Sequence, residues 1–135
     1  MGIGATIDRA ELVAMFIGGT GGALARTAAV MAFGDPAPSW PWTIFVINLA
    51  GAFALGYLAT RPPLRRPGRI SAVALLGTGF CGAFTTFSTM MLELARMLDA
   101  GRVGLAALYA AASIAGGLAA VVLATRLARQ LGSWL

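Results

Sequence analysis

The chain has no lysine, no histidine and a single cysteine, Cys81. Without histidine there is no Ser-His triad and no metal site of the Cys/His type. One thiol cannot close an internal disulfide, and its apolar surroundings give Cys81 the part of a small buried hydrophobe. Charge is scarce too, at 11% of 135 residues, where a soluble domain carries roughly a quarter. No nucleophile–base pair or paired-carboxylate arrangement is visible, which argues against an enzyme. The net charge of +5 rests on ten arginines, and none of them forms a basic run on a soluble fold. Nucleic acid is therefore excluded as a partner.

What remains is 59% hydrophobic. Four apolar stretches, 12–33, 42–60, 70–92 and 103–125, each approach the ~20 residues that cross a bilayer. The composition leaves room for a single domain, 1–135, predicted to be an all-α membrane protein of four transmembrane helices. The first stretch follows Asp8, Arg9 and Glu11 and is long enough to span, so it is read as a span and not as a cleaved leader. Gly34-Asp35-Pro36-Ala37-Pro38 separates the first two spans, with Trp40 and Trp42 as expected interface anchors. Seven arginines (9, 61, 65, 66, 69, 126 and 129) fall on the side that holds both termini, against Arg96 and Arg102 on the other. The positive-inside rule then places both termini in the cytoplasm of an inner (plasma) membrane protein.

Polar residues inside the spans carry the functional signal. Gly18, Gly22 and Arg26 recur every four residues and share one helix side, where the glycines read as a close-packing seam. An arginine at that depth is either paired and functional or snorkels to the nearer surface. Asn48 stands alone among aliphatics and has two readings, hydrogen-bonding glue between helices or a two-donor anion ligand. Tyr109, Ser113, Gly116 and Gly117 form one stripe on the fourth span. The third span holds Gly77, Gly79 and Gly82, then Phe84 and Phe87 with Thr85, Thr86, Ser88 and Thr89. A helix facing only hydrocarbon has no use for so many hydroxyls. The span is expected to break at the glycines, freeing carbonyls for a bound cation, with the hydroxyls and ring edges beyond the break turned to an anion; the plainer reading has the hydroxyls bond their own i−4 carbonyls and the rings pack, which fits a cluster of four less well.

The run GFCGAFTTFSTMMLE resembles the third-span signature of the Fluc (CrcB) fluoride channels, whose common form is GGFTTFSTF. Gly21 to Arg26 resembles that family's first-span GGxxR, and Val46 to Gly51 its second-span VNxxG. Tyr109 and Ser113 stand where it carries a fourth-span Tyr and Ser. The resemblance covers all four spans in order, and TTFST is its specific part. It implies a passive, fluoride-exporting channel built as an antiparallel, dual-topology dimer, with a structural sodium ion at its centre. Gly82 and Thr85 would offer main-chain carbonyls to sodium. Asn48, Phe87, Ser88, Thr89, Tyr109 and Ser113 would line the fluoride pathway, with Glu93 towards its end and Arg26 near its vestibule. Met90 replaces the family's second aromatic ring, a gap that Phe84 is the candidate to fill. Cys81-Gly82 replaces the motif's Gly-Gly. The seven-to-two arginine bias is strong for a dual-topology chain, so an oppositely inserted paralogue is the alternative to a homodimer in lipid.

Two other readings fit the architecture. A small proton-coupled multidrug exporter needs a carboxylate deep in the first span, whereas Glu11 lies at its start. A non-transporting membrane subunit would explain the glycine seams and leave the hydroxyl cluster without a purpose.

Overall fold

A computed structural model describes residues 8–36, 38–60 and 71–132. The predicted middle-loop arginines 61, 65, 66 and 69, and Ile70, lie outside the described residues. Within them the chain is all helical: α1 (Arg9–Phe33), α2 (Trp42–Thr60), α3 (Val73–Cys81) continued by one turn (Gly82–Phe84), α4 (Phe87–Asp99) and α5 (Val103–Gly132). Four helical stretches are long and apolar enough to cross a membrane, the third being Val73–Asp99 with its interruption. Large apolar side chains such as Phe16, Leu24, Met31, Ile114 and Leu118 are exposed. On a soluble protein such a surface would drive association, and here it faces hydrocarbon. The protein is a multi-pass membrane protein.

Several helix ends have a local cause. Asp8 caps α1 by accepting from the Ala10 N–H at 3.0 Å. Asp35 accepts from the Thr43 N–H at 2.8 Å and ties the first loop to the start of α2. The α4–α5 turn closes on Gly101 at φ +70°, with Arg102 N–H donating to the Met97 carbonyl and Gly101 N–H to that of Leu98. That is the Schellman pattern, which requires a left-handed residue after the helix.

Helices pack chiefly along the helix two crossings on, in the same direction: α1 along α3, and α2 along α5. Glycine permits the first contact. A Cβ on Gly18 would lie 1.9 Å from the Leu75 carbonyl oxygen, and one on Gly22 would lie 2.2 Å from that of Phe80. The expected seam is therefore real, and it is a backbone-on-backbone contact. In the second pair, Gly56 meets Val121 and Gly116 meets Leu49, whereas Gly117 faces open space. α3 is wound as a π-helix, a form otherwise met mostly as single turns at functional sites.

Two expectations need correction. The third span does not break at its glycines: Gly77 and Gly79 are helical and buried. The interruption falls at Thr85 (φ −74°, ψ 154°) and Thr86 (φ −149°, ψ 118°), both extended. Phe84 consequently lies before the break and not after it. The glycines are occupied in packing, with Gly79 pressed against the Met15 carbonyl. Second, Trp42 is exposed as an interface anchor would be, but Trp40 turns into an aromatic cluster with Phe45 and Tyr109.

Candidate functional site

The break is the site. An extended Thr85–Thr86 pair releases backbone groups that a continuous helix would have bonded, and lipid cannot satisfy them. Side chains from two other helices meet those of Thr86 in full and that of Thr85 in part. Asn48 of α2 donates from Nδ2 to the Thr86 carbonyl at 3.1 Å, and its Oδ1 accepts from the Thr86 N–H at 2.8 Å. Arg26 of α1 donates from Nη1 to the Thr85 carbonyl at 3.5 Å. Of the two readings of Asn48, the glue is thus observed. Its second Nδ2 proton is left over, so the ligand reading stays compatible with the geometry. Arg26 is paired with the break and half-buried.

Thr86 is the hub that sequence reasoning left out of its site. It is the one buried polar residue of the described chain. Its hydroxyl caps α4, accepting from the Thr89 N–H at 3.2 Å. It also contacts Thr89 Oγ1 at 3.0 Å and Ser88 Oγ at 3.3 Å. The signal was available, because a threonine that opens a new helix and is followed three residues later by a hydrogen-bonding partner reads as an N-cap. Proton counting then matters. Three hydroxyls bring three protons, and two hydroxyl–hydroxyl bonds use two. One proton remains to donate outward. Thr85 behaves differently and bonds its own i−4 carbonyl, Cys81, at 2.9 Å.

A cavity of about 330 Å³ opens at this point, lined by Asn48, Gly82, Thr85, Thr86, Phe87 and Met90, with Cys81 and Gly51 at its wall. Phe87 is 72% exposed, an unusual position for an aromatic ring beside a polar break. Gly82 is exposed as well, and a Cβ there would meet nothing within 4 Å. Its carbonyl loses its helical partner, because the Thr86 N–H is taken by Asn48. Phe84 does not face this cavity. It stacks on Phe80 at 5.4 Å and lines two neighbouring apolar hollows of about 480 and 380 Å³. It therefore does not stand beside Phe87 as a second ring, and Met90 holds that place.

The other predicted residues lie further along. Met90 also packs against a buried cluster of Met97, Ala106 and Tyr109. Tyr109 is fully buried; its hydroxyl neighbours that of Ser113, and neither makes a well-formed hydrogen bond among the described residues. Glu93 is paired with Arg96 at 2.9 Å. The site thus gathers Arg26, Asn48, Gly82, Thr85, Phe87, Ser88, Thr89 and Met90 at the break. Tyr109 stands apart in the adjoining cluster, with Ser113 one turn further along α5.

The CrcB-like protein, Camphor Resistance (CrcB) family model matches residues 13–125. The chain belongs to the CrcB family. A fluoride-specific ion channel FluC 1 of Mycolicibacterium paratuberculosis is 53% identical over 125 residues, which is 92% of this chain and 94% of the relative. Its namesake in Mycobacterium bovis is 50% identical over the same shares. A fluoride-specific ion channel FluC of Chlorobaculum tepidum is 41% identical over 115 residues, 83% of this chain and 89% of the relative. Family membership makes this a chain of a channel family and not an enzyme.

Proposed function

We propose that this CrcB-family chain is the subunit of a passive, fluoride-specific channel that lets fluoride leave the cell across the inner (plasma) membrane. The observation that carries the reading is the Thr85–Thr86 break. It is a polar interruption with hydroxyl and amide donors in surplus, in a chain half identical to named fluoride channels. Fluoride is small and strongly hydrated, so a selective path must replace its water with several donors, none so strong as to hold it. The spare Asn48 N–H and the spare proton of the Thr86–Ser88–Thr89 trio are donors of that kind. The Phe87 ring edge, partly positive, adds an aromatic contact. Met90 has no ring edge and would make this stretch a weaker holding point than two rings. Tyr109 and Ser113 would continue the path.

The subunit works as an antiparallel, dual-topology dimer. A second copy, or an oppositely inserted paralogue, covers Phe87 and Gly82, and lipid surrounds the pair. Exposure of an aromatic ring and a bare glycine beside the site supports that reading. A structural sodium ion fits the chain in the same place. The Gly82 carbonyl is without its helical donor, and the Thr85 carbonyl has only the long contact from Arg26. Both are hard, neutral oxygens, and a second copy would double them. Sodium bound there would supply positive charge to carbonyls that the break leaves short of donors. A multidrug exporter is disfavoured because Glu11 sits in the first turn of α1.

The test is fluoride efflux from liposomes containing the purified chain, followed with a fluoride electrode, with chloride efflux as control. Fast fluoride loss with chloride retained is expected. Phe87→Ile is expected to reduce the fluoride rate strongly while the assembly elutes unchanged. Equal retention of both anions by the wild-type protein would sink the channel reading, and an unaltered rate in Phe87→Ile would sink the role of that ring.

A further inference from the structure

Among the described residues, three buried side-chain atoms have no hydrogen-bond partner: Tyr109 Oη, Ser113 Oγ and Trp40 Nε1. The first two belong to the pathway already proposed. The third belongs to nothing so far. Trp40 lies in the loop before α2, and its ring packs against Tyr109 with centroids 5.4 Å apart at 86°. It also touches the Met97–Ala106–Tyr109 cluster, as Met90 does. Met90 in turn lines the cavity at the break. The cluster is thus joined to the cavity through one flexible side chain.

A buried indole N–H without a partner is costly, and a tryptophan in a core normally finds an acceptor. Indole is a donor only, so whatever it serves must accept. Tyr109 and Ser113 lie one helical turn apart on α5, about 6 Å along its axis. The parallel run of α2 and α5 brings the start of α2, and Trp40 with it, to the Tyr109 end of that pair. The three groups therefore follow one another from mid-membrane towards the loop end. An ion without hydrogen-bond donors of its own, such as a halide moving along this line, would meet each in turn.

We propose that the Trp40 indole N–H is a further anion-binding donor, which receives fluoride beyond Tyr109 at the loop end of the path. The proposal rests on the fluoride-channel reading. Its structural rival is an N–H turned onto the face of Phe45 or Tyr109, a weak bond that needs no anion.

Trp40→Phe keeps a packed ring and removes the N–H. Its fluoride efflux is expected to fall about tenfold or more, the loss of one hydrogen bond to a charged group, with the assembly eluting as wild type. Trp42→Phe, at an exposed ring, is expected to leave the rate unchanged. Should Trp40→Phe fail to fold, a benzothienylalanine at position 40 replaces only the N–H with sulfur and is expected to slow efflux to the same extent. A second readout does not depend on conduction. The indole ¹⁵N–¹H resonance of Trp40 in the ¹⁵N-labelled wild-type protein should shift when chloride is replaced by fluoride. A wild-type rate in the folded Trp40→Phe or benzothienylalanine protein, or an indole resonance indifferent to fluoride in a conducting channel, overturns the proposal. A wild-type protein that conducts no fluoride overturns the channel reading instead.

Discussion

Replacing Asn48 with alanine isolates the clamp on the break. The substitution removes two hydrogen bonds, at 3.1 and 2.8 Å, and strands the N–H and carbonyl of buried Thr86. Stranding a buried polar group costs about 1–3 kcal/mol, so the pair sets a ceiling of about 6 kcal/mol. Interhelical hydrogen bonds in membranes average only about 0.6 kcal/mol, because the separated helices find other partners, which sets a floor near 1 kcal/mol. Thr86 has few alternatives. Its extended backbone forbids the i−4 bond, and its hydroxyl is already committed to the N-cap of α4. A loss of about 2–4 kcal/mol is therefore expected. Reversible denaturation in mixed detergent micelles would measure it, beside fluoride efflux from liposomes. Asn48→Asp keeps the acceptor for the Thr86 N–H and loses the donor, so its stability should fall between the two. An Asn48→Ala protein as stable as the wild type would refute the clamp. If it were stable but no longer conducted, Asn48 would act on the ion alone.

The other perturbations probe packing and assembly. Gly18→Ala places a methyl 1.9 Å from a backbone oxygen that cannot turn aside, so α1 and α3 must part. A loss of about 3 kcal/mol or more is expected in the same denaturation assay, while Gly117→Ala, facing open space, should be neutral or slightly stabilising. Gly82→Ala adds a methyl that meets nothing within 4 Å among the described residues, so the subunit should fold, and gel filtration in detergent should show the dimer weakened. A dimer that survives this change, with flux intact, would place the interface elsewhere.

The spans and the Gly18–Gly22 seam were legible because both are periodic, and helical periodicity survives any tertiary context. The position of the break was not. Glycine signals two things, freedom to bend and room for close approach, and a sequence does not say which is in use. At Gly79 it is room, whereas the bend is made by two threonines whose own propensity is extended. Trp40 shows the same ambiguity. Tryptophan near a span end suits the membrane interface, and only the neighbouring Tyr109 and Phe45 reveal that the ring is drawn inward. Phe84 and Phe87 stand three residues apart, a spacing that shares a face only within an unbroken helix, and the extended Thr85–Thr86 pair separates them.

The break explains how a conducting site can exist in a chain with so little charge. A gap of two residues in a membrane helix leaves backbone groups to be met, and here those of Thr86 are met by Asn48 and that of Thr85 by a long contact from Arg26. Both ends of the gap are thereby held by neighbouring helices, and the hydroxyls of Thr86, Ser88 and Thr89 bond largely to one another. What is left for an ion is a small surplus, one amide proton and one hydroxyl proton, beside a ring edge. Such a surplus can exchange for part of a hydration shell without trapping the ion, since each donor already belongs to a satisfied network. On the proposed channel reading, removing the engagement of Asn48 with Thr86 should cost stability and flux together.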